Sequence, residues 1–179
     1  IQLNHAGASA YPERLGGLQS VSSSSVPSKE GNPAPRPLTK QEILNIVQKY
    51  ADAAERAIGA GFDMVEIHGG HSYLLDQFLS PLYNKRTDEF GGSYENRARF
   101  ARLVVEAVRA RVGNWVPISF RISADEFIEG GNTLEDTLQL LEYIVPEVDI
   151  INVSAALNDS IQYQIDKCDL PDAWRAYLS

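Results

Sequence analysis

The chain has 179 residues, 44% of them apolar and 22% charged, with a net charge of −8. That size and balance point to one globular domain with a full hydrophobic core, and the negative charge excludes a surface built to neutralise the phosphates of nucleic acid or of an anionic membrane. No apolar run reaches the length of a membrane-spanning helix, and the single cysteine, Cys168, excludes an internal disulfide framework or a multi-cysteine metal site and fits a reducing cytoplasm.

Four apolar runs read as buried strands, at about residues 1–5, 62–67, 117–122 and 148–153. The first, Ile1-Gln2-Leu3, begins without a methionine. It leads into an irregular segment, residues 6–38, rich in serine and proline, which reads either as a disordered linker or as a long functional loop. Thr39 and Glu42 have capping-box spacing and open a helix whose apolar face is Ile43, Ile46, Val47, Tyr50, Ala54 and Ala57. After the second strand, residues 69–92 run irregularly through a short helical patch, Leu74 to Phe78. Phe100, Leu103, Val104, Ala107 and Val108 mark a second long helix that closes at Gly113. Thr133 caps a third, with Leu134, Leu138, Leu141 and Val145 expected on its inner face. The chain stops at Trp174 to Ser179, which resembles the opening of a further amphipathic helix.

Alternating strands and helices imply a parallel sheet with right-handed crossovers. Each strand ends in a polar or cationic residue: His5, His68, Arg121, and Asn152 with Ser154. Four such ends converge when strands surround one axis, which favours a (β/α)8 barrel over a doubly wound sheet. Such barrels need about 250 residues and eight strands. The expectation is therefore that 1–179 is one partial barrel domain, truncated at both ends, from inside a longer protein.

The densest chemistry lies in Glu66-Ile67-His68-Gly69-Gly70-His71-Ser72-Tyr73, where a strand ends and a turn begins. His68 and His71 serve either as a neutral donor pair for a carbonyl or carboxylate oxygen, as structural histidines, or, with Glu66 or His5 as a third donor, as metal ligands. Tyr73 is either a packed aromatic or a phenol able to donate a proton beside them. Arg121 is either paired with Asp125 or Glu126 or stands as a fixed cation facing an electron-rich ligand. Gln2 alone says little. The charged run Lys85 to Glu89, with Glu95, Arg97 and Arg99, reads as a solvated, self-paired loop and helix start. Neither Gly91-Gly92 nor Gly130-Gly131 has the arrangement of a phosphate loop.

The ordered string from His68-Gly69-Gly70-His71-Ser72-Tyr73 through Gln77-Phe78-Leu79-Ser80-Pro81, then Asn84-Lys85-Arg86-Thr87-Asp88-Glu89-Phe90-Gly91-Gly92-Ser93 and Glu95-Asn96-Arg97, closely resembles the old yellow enzyme family of flavin oxidoreductases. Gln2 to Gly7, Phe120 to Ser123 and Ile151 to Ser154 are similar to that family's third, fifth and sixth barrel strands, and the bacterial 2-enoate reductase and 2,4-dienoyl-CoA reductase branch is closest in character. The resemblance implies an FMN-containing (β/α)8 barrel that reduces activated C=C bonds with electrons from NAD(P)H. It implies that His68 and His71 bind the oxygen of an unsaturated carbonyl or carboxylate substrate, and that Tyr73 protonates its α carbon. It further implies that Gln2 holds the pyrimidine edge of the flavin and Arg121 the N1/C2 carbonyl side of the reduced ring, with no metal at the site.

Two departures accompany it. Ala8 follows Gly7 where many relatives carry arginine. Strands one, two, seven and eight, which include the anchor for the FMN phosphate, would lie outside the chain. So would a 4Fe-4S cluster and FAD, and the parent is expected to be homo-oligomeric. Two rivals remain at this point: a metal-assisted barrel lyase using His68, His71 and Glu66, and a binding-only or inactive fragment.

Overall fold

The computed structural model describes residues 1–157 and 160. Cys168 and the helix expected at Trp174 to Ser179 lie outside the described residues. All four expected strands form: β1 (Gln2–Leu3), β4 (Val65–Gly69), β5 (Ile118–Ser123) and β6 (Ile150–Ser154). Between the first two lies a small pair, β2 (Val21–Ser22) and β3 (Arg36–Pro37), parallel and separate from the main sheet. The main sheet is wholly parallel in the order β1-β4-β5-β6. Its order therefore follows the chain without the reversal that a doubly wound sheet requires, which makes it part of a barrel wall.

The helices are α1 (Lys40–Gly59), α2 (Leu74–Leu79), α3 (Tyr94–Val112) and α4 (Leu134–Leu141). Thr39 caps α1 with both halves of the capping box in place, Glu42 N–H to Thr39 Oγ1 and Thr39 N–H to Glu42 Oε2. Gly113 ends α3 at φ 79°. Helices α1 and α3 pack on each other and bury Ile43, Val47, Ala54, Ala101, Val104 and Val108 against the sheet residues Val65, Ile67, Ile118, Phe120 and Ile122. Phe78 joins this core, its ring 4.8 Å from that of Phe100 and 6.4 Å from that of Phe90. Each buried Val, Ile or Phe side chain of this core contributes roughly 1.5–3 kcal/mol by leaving water. No described helix is long and apolar enough to cross a membrane.

Three expectations are corrected. The inner face of α4 is the leucine stripe only in part: Leu141 packs against the core, but Leu134, Leu138 and Val145 are 41%, 54% and 40% exposed, while Leu140 and Ile144 are buried. Apolar residues stand on two sides of this short helix, and period alone does not say which side meets the core. Residues 6–38 are no disordered linker. Ser22, Ser23 and Ser28 are buried, and their hydroxyls donate to Gln77 Oε1, the Gln77 carbonyl and the Ala8 carbonyl. Hydroxyls that satisfy buried carbonyls let a polar loop pack as a core does. The charged run is only partly solvated. Arg86 pairs with Asp88 and Arg99 with Glu95, but Arg97 is buried and donates to the Leu79 carbonyl and to Asn132 Oδ1.

Candidate active site

Strands of period two present one row of side chains to the helices and the next to the opposite face. Gln2, Glu66 and Ser119 stand side by side in register on that opposite face. His68, Arg121 and Asn152 form the next row, and Ser123 and Ser154 the one beyond. The face away from the helices is thus polar over three successive rows.

Glu66 ties the lowest row together. Its carboxylate accepts from Gln2 Nε2 at 2.8 Å, Ser119 Oγ at 2.8 Å and Asn152 Nδ2 at 2.7 Å. Three other strands are linked through one side chain. Burial works to raise the Glu66 carboxyl, but the hydrogen bonds from Asn152, Gln2 and Ser119, with the charge of Arg121, together hold it below its ordinary value. An ionised Glu66 accepts only, so the Gln2 amide turns its nitrogen toward it and its oxygen away.

Above this row the chain leaves β4 in a turn pressed on β5. A Cβ at Gly69 would stand 2.3 Å from Phe120 Cζ, so no larger residue fits there without displacing that ring. His71 and Ser72 adopt φ 56° and 59°, a left-handed conformation that costs an L residue roughly 1–2 kcal/mol. The His71 N–H donates to Ser123 Oγ at 3.1 Å, and Ser123 Oγ donates to the Ala156 carbonyl at 2.8 Å. The turn brings the three expected side chains together: the His68 ring lies 5.2 Å from that of His71 and 5.2 Å from that of Tyr73. His71 Nε2 is 2.7 Å from Ser154 Oγ, to which Arg121 Nη2 also donates at 3.3 Å.

Burial, then the charges of His71 and Arg121, push the His68 imidazole down to about 4, with Glu66 opposing. Burial and then Arg121 lower that of His71. Both rings are therefore neutral near pH 7, and each carries one N–H to donate. Two buried nitrogens of this face, His68 Nδ1 and Arg121 Nε, have no hydrogen-bond partner among the described residues, and neither do Arg97 Nε and Arg102 Nε elsewhere. An unmet buried donor or acceptor costs about 1–3 kcal/mol.

His5 does not join the other strand ends. Its Nδ1 accepts from the Gly7 N–H, and its side chain lies in a shallow hollow with Ile46, Lys49 and Tyr50 of α1. Two residues beyond the end of β1, in phase with Leu3, it falls on the helix side, where the period-two pattern puts it. Arg121 pairs with neither Asp125 nor Glu126. Asp125 accepts from the Phe127 N–H, and Glu126 from Ser80 Oγ and Asn132. Among the described residues no group of three His, Cys, Asp or Glu side chains could hold a metal ion, and the Glu66 oxygens are engaged by their three donors.

Sequence reasoning missed Glu66 as the organiser of the polar face, and Ser123 and Ser154 as supports of His71. Their signal was present: each lies two residues from a singled-out site residue, at the period of a strand. It also passed over Asp76 and Gln77, which are buried beneath the turn.

Residues 1–167 match the family model described as NADH:flavin oxidoreductase / NADH oxidase family. An "NADH oxidase" of Thermoanaerobacter brockii is 44% identical over 180 residues, covering 100% of this chain and 28% of the relative. An "NADPH dehydrogenase" of Clostridium acetobutylicum is 43% identical over 156 residues, 87% of this chain and 45% of the relative. Among solved structures, a 2-naphthoyl-CoA reductase in complex with 2-naphthoyl-CoA superposes with a TM-score of 0.82 at 29% identity, over 88% of this chain and 26% of that one. Histamine dehydrogenase from Rhizobium sp. 4-9 gives 0.79 at 35% identity, over 87% and 23%. The chain spans less than half the length of each of these proteins.

Proposed function

The chain belongs to the NADH:flavin oxidoreductase / NADH oxidase family, and from that premise we propose that the protein carrying it is an FMN-dependent oxidoreductase that uses NAD(P)H to reduce C=C bonds conjugated to a carbonyl or carboxylate. The observation that carries this reading is the polar strand face on which His68 stands in register with Arg121 while its ring lies 5.2 Å from those of His71 and Tyr73.

The residues present fit a flavin. Gln2, its amide oriented by Glu66, would hold the pyrimidine edge, and Arg121 would supply a fixed cation on the N1/C2 carbonyl side. Bound and reduced, FMN supplies the hydride that the β carbon of the substrate accepts.

The remaining work falls to this chain's own side chains. On this reading His68 and His71 turn N–H groups to the substrate oxygen, and His71 exchanges a bond it now makes with the segment after β6, to Ser154 Oγ or the Ala155 backbone, to do so. Because burial keeps both rings neutral, they do so without placing two further positive charges beside Arg121. Withdrawing electron density through that oxygen makes the β carbon a better electrophile and steadies the negative charge that develops on the oxygen. Tyr73 starts α2 and stands against the His68 ring, so its hydroxyl can give its proton to the α carbon. Left-handed backbone at His71 and Ser72 brings the His71 and Tyr73 rings round to the His68 ring at the end of β4.

Tyr73→Phe in the complete protein tests the reading, followed by stopped-flow absorbance of the flavin in each half-reaction. Reduction by NAD(P)H should stay within about twofold, while reoxidation by 2-cyclohexenone should slow by roughly 10²–10⁴-fold. Unchanged reoxidation would remove Tyr73 from the proposed role. A purified complete protein without bound flavin would remove the reading itself.

A further inference from the structure

Two consecutive non-glycine residues, His71 and Ser72, hold left-handed backbone between His68 and Tyr73. Such a pair persists only where its surroundings enforce it. Here the Ser72 peptide is gripped at both ends. Its N–H donates to Asp76 Oδ2 at 2.6 Å, and its carbonyl accepts from Gln77 Nε2 at 2.6 Å and from Ser9 Oγ at 2.9 Å. Both main holders come from α2, and both are buried, Asp76 2% and Gln77 0% exposed.

The Gln77 amide has no choice of direction. Its Oε1 accepts from the Ala8 N–H at 3.0 Å and from Ser22 Oγ at 2.8 Å, so its NH₂ faces Ser72. A Cβ at Gly7 would lie 2.3 Å from Gln77 Oε1, so the loop after β1 closes on this amide only because position 7 is glycine. The two long irregular segments, 6–38 and 69–92, therefore meet at Gln77.

Resting on the ene-reductase reading above, we propose that Asp76 and Gln77 are positioning residues: they clamp the Ser72 peptide at its N–H and its C=O, and so hold the turn that brings His71 and Tyr73 round His68. Neither touches the reacting atoms. The clamp acts through the backbone, and it makes the order of the β1–α1 loop a condition for the geometry of the proton donor.

Three variants of the complete holoprotein test this. Asp76→Ala removes the acceptor. Asp76→Asn keeps one, in surroundings where burial and then Glu126 already push the Asp76 carboxyl up toward its neutral form. Asp76→Ala combined with Ser72→Gly removes the clamp together with the strain at position 72, since glycine takes left-handed backbone without penalty; His71 keeps its own strain, and the Ser72 Oγ contact with Tyr83 Oη at 3.0 Å is lost, so recovery is partial. With 2-cyclohexenone as oxidant, Asp76→Ala should lower kcat at least about tenfold, as small misplacements of reacting groups do. Flavin reduction by NADPH should be unchanged, Asp76→Asn should return to within about threefold, and the double variant should recover part of the loss.

Independently of turnover, the His71 imidazole resonance followed by NMR should titrate at higher pH in Asp76→Ala, because the ring leaves its buried place near Arg121. Wild-type kcat and wild-type His71 titration in Asp76→Ala overturn the proposal. So does an equal loss in both half-reactions that Ser72→Gly does not relieve. Should Asp76→Ala fail to accumulate folded, Ser9→Ala removes one donor to the Ser72 carbonyl and should show the same pattern at about two- to threefold; no change there overturns it too. If the wild type never reduces the enone, the proposed activity fails while the His71 titration still judges the clamp.

Discussion

The two faces of the main sheet are built from the same four strands by opposite rules. Toward the helices, Val65, Ile67, Ile118, Phe120 and Ile122 are at most 2% exposed and pack in the apolar core with α1 and α3. Toward the other side, Gln2, Glu66, Ser119 and Asn152 meet through charge-assisted hydrogen bonds, and His68 and Arg121 keep nitrogens without partners. The first face is filled by apolar packing, and the second is lined by polar and charged groups. What this teaches is a division of labour: substitutions on the helix side should change stability, and those on the polar side should change what the protein holds and does.

The largest effect expected from that division is on the helix side. Phe120→Ala should cost about 3–5 kcal/mol in a urea or guanidinium melt, since the side chain is fully buried and its loss leaves a cavity beneath Gly69. A cost below about 1 kcal/mol would break the comparison, because it would mean that this face is not close-packed.

A smaller effect on stability, with a clear one on binding, is expected from Glu66→Ala. It strands three donors on a half-buried face and releases the Gln2 amide from its orientation. FMN affinity of the complete protein, from flavin fluorescence titration, should fall about tenfold, the worth of one well-made hydrogen bond to a charged group. Unfolding should shift by less than for Phe120→Ala. A reversed order of the two stability losses would show that Glu66 is a folding element rather than an organiser of the site.

The smallest effect is a pH dependence. Burial depresses the His68 imidazole to about 4 from an ordinary 6.5, so the unfolded chain binds a proton there more readily than the folded one. The sign follows: this contribution is fully present above about pH 6.5 and is lost as pH falls toward 4. Glu126, pushed up by burial, works in the opposite direction across part of the same range. The quantity to measure is therefore the difference in denaturant midpoint between wild type and His68→Gln. It should narrow or reverse in favour of the variant between pH 6.5 and 4; a constant difference would show that His68 is not buried neutral.

Much of this was legible in the chain read as text. Thr39 and Glu42 announced α1, Gly113 the end of α3, and four apolar runs the four main strands, because capping and periodicity are local. His68, His71 and Tyr73 stood out because polar side chains crowd one strand end, and the structure brings their rings together. Less legible was direction. His5 looked like a fourth converging end and turned toward α1, and α4 buried Leu140 rather than Leu134 and Leu138. A one-residue difference in phase decides each case, and local pattern carries no absolute phase.

By itself the sequence determined the four main strands and the helices between them, though not the small pair β2 and β3, and also that the main sheet is parallel and which residues carry acid, donor and cationic character. Those are properties of spacing and side-chain chemistry that hold over a few residues. Only the tertiary structure decided that Glu66 would join Gln2, Ser119 and Asn152, that Arg121 would stand apart from Asp125 and Glu126, and that Gln77 would tie the loop after β1 to the Ser72 peptide. The partners in those contacts lie between 53 and 86 residues apart except for Gln77 and Ser72, which are 5 apart. Pairings of that reach arise when β1, β4, β5 and β6 align in register and bring their polar rows together, and no local rule of spacing contains them.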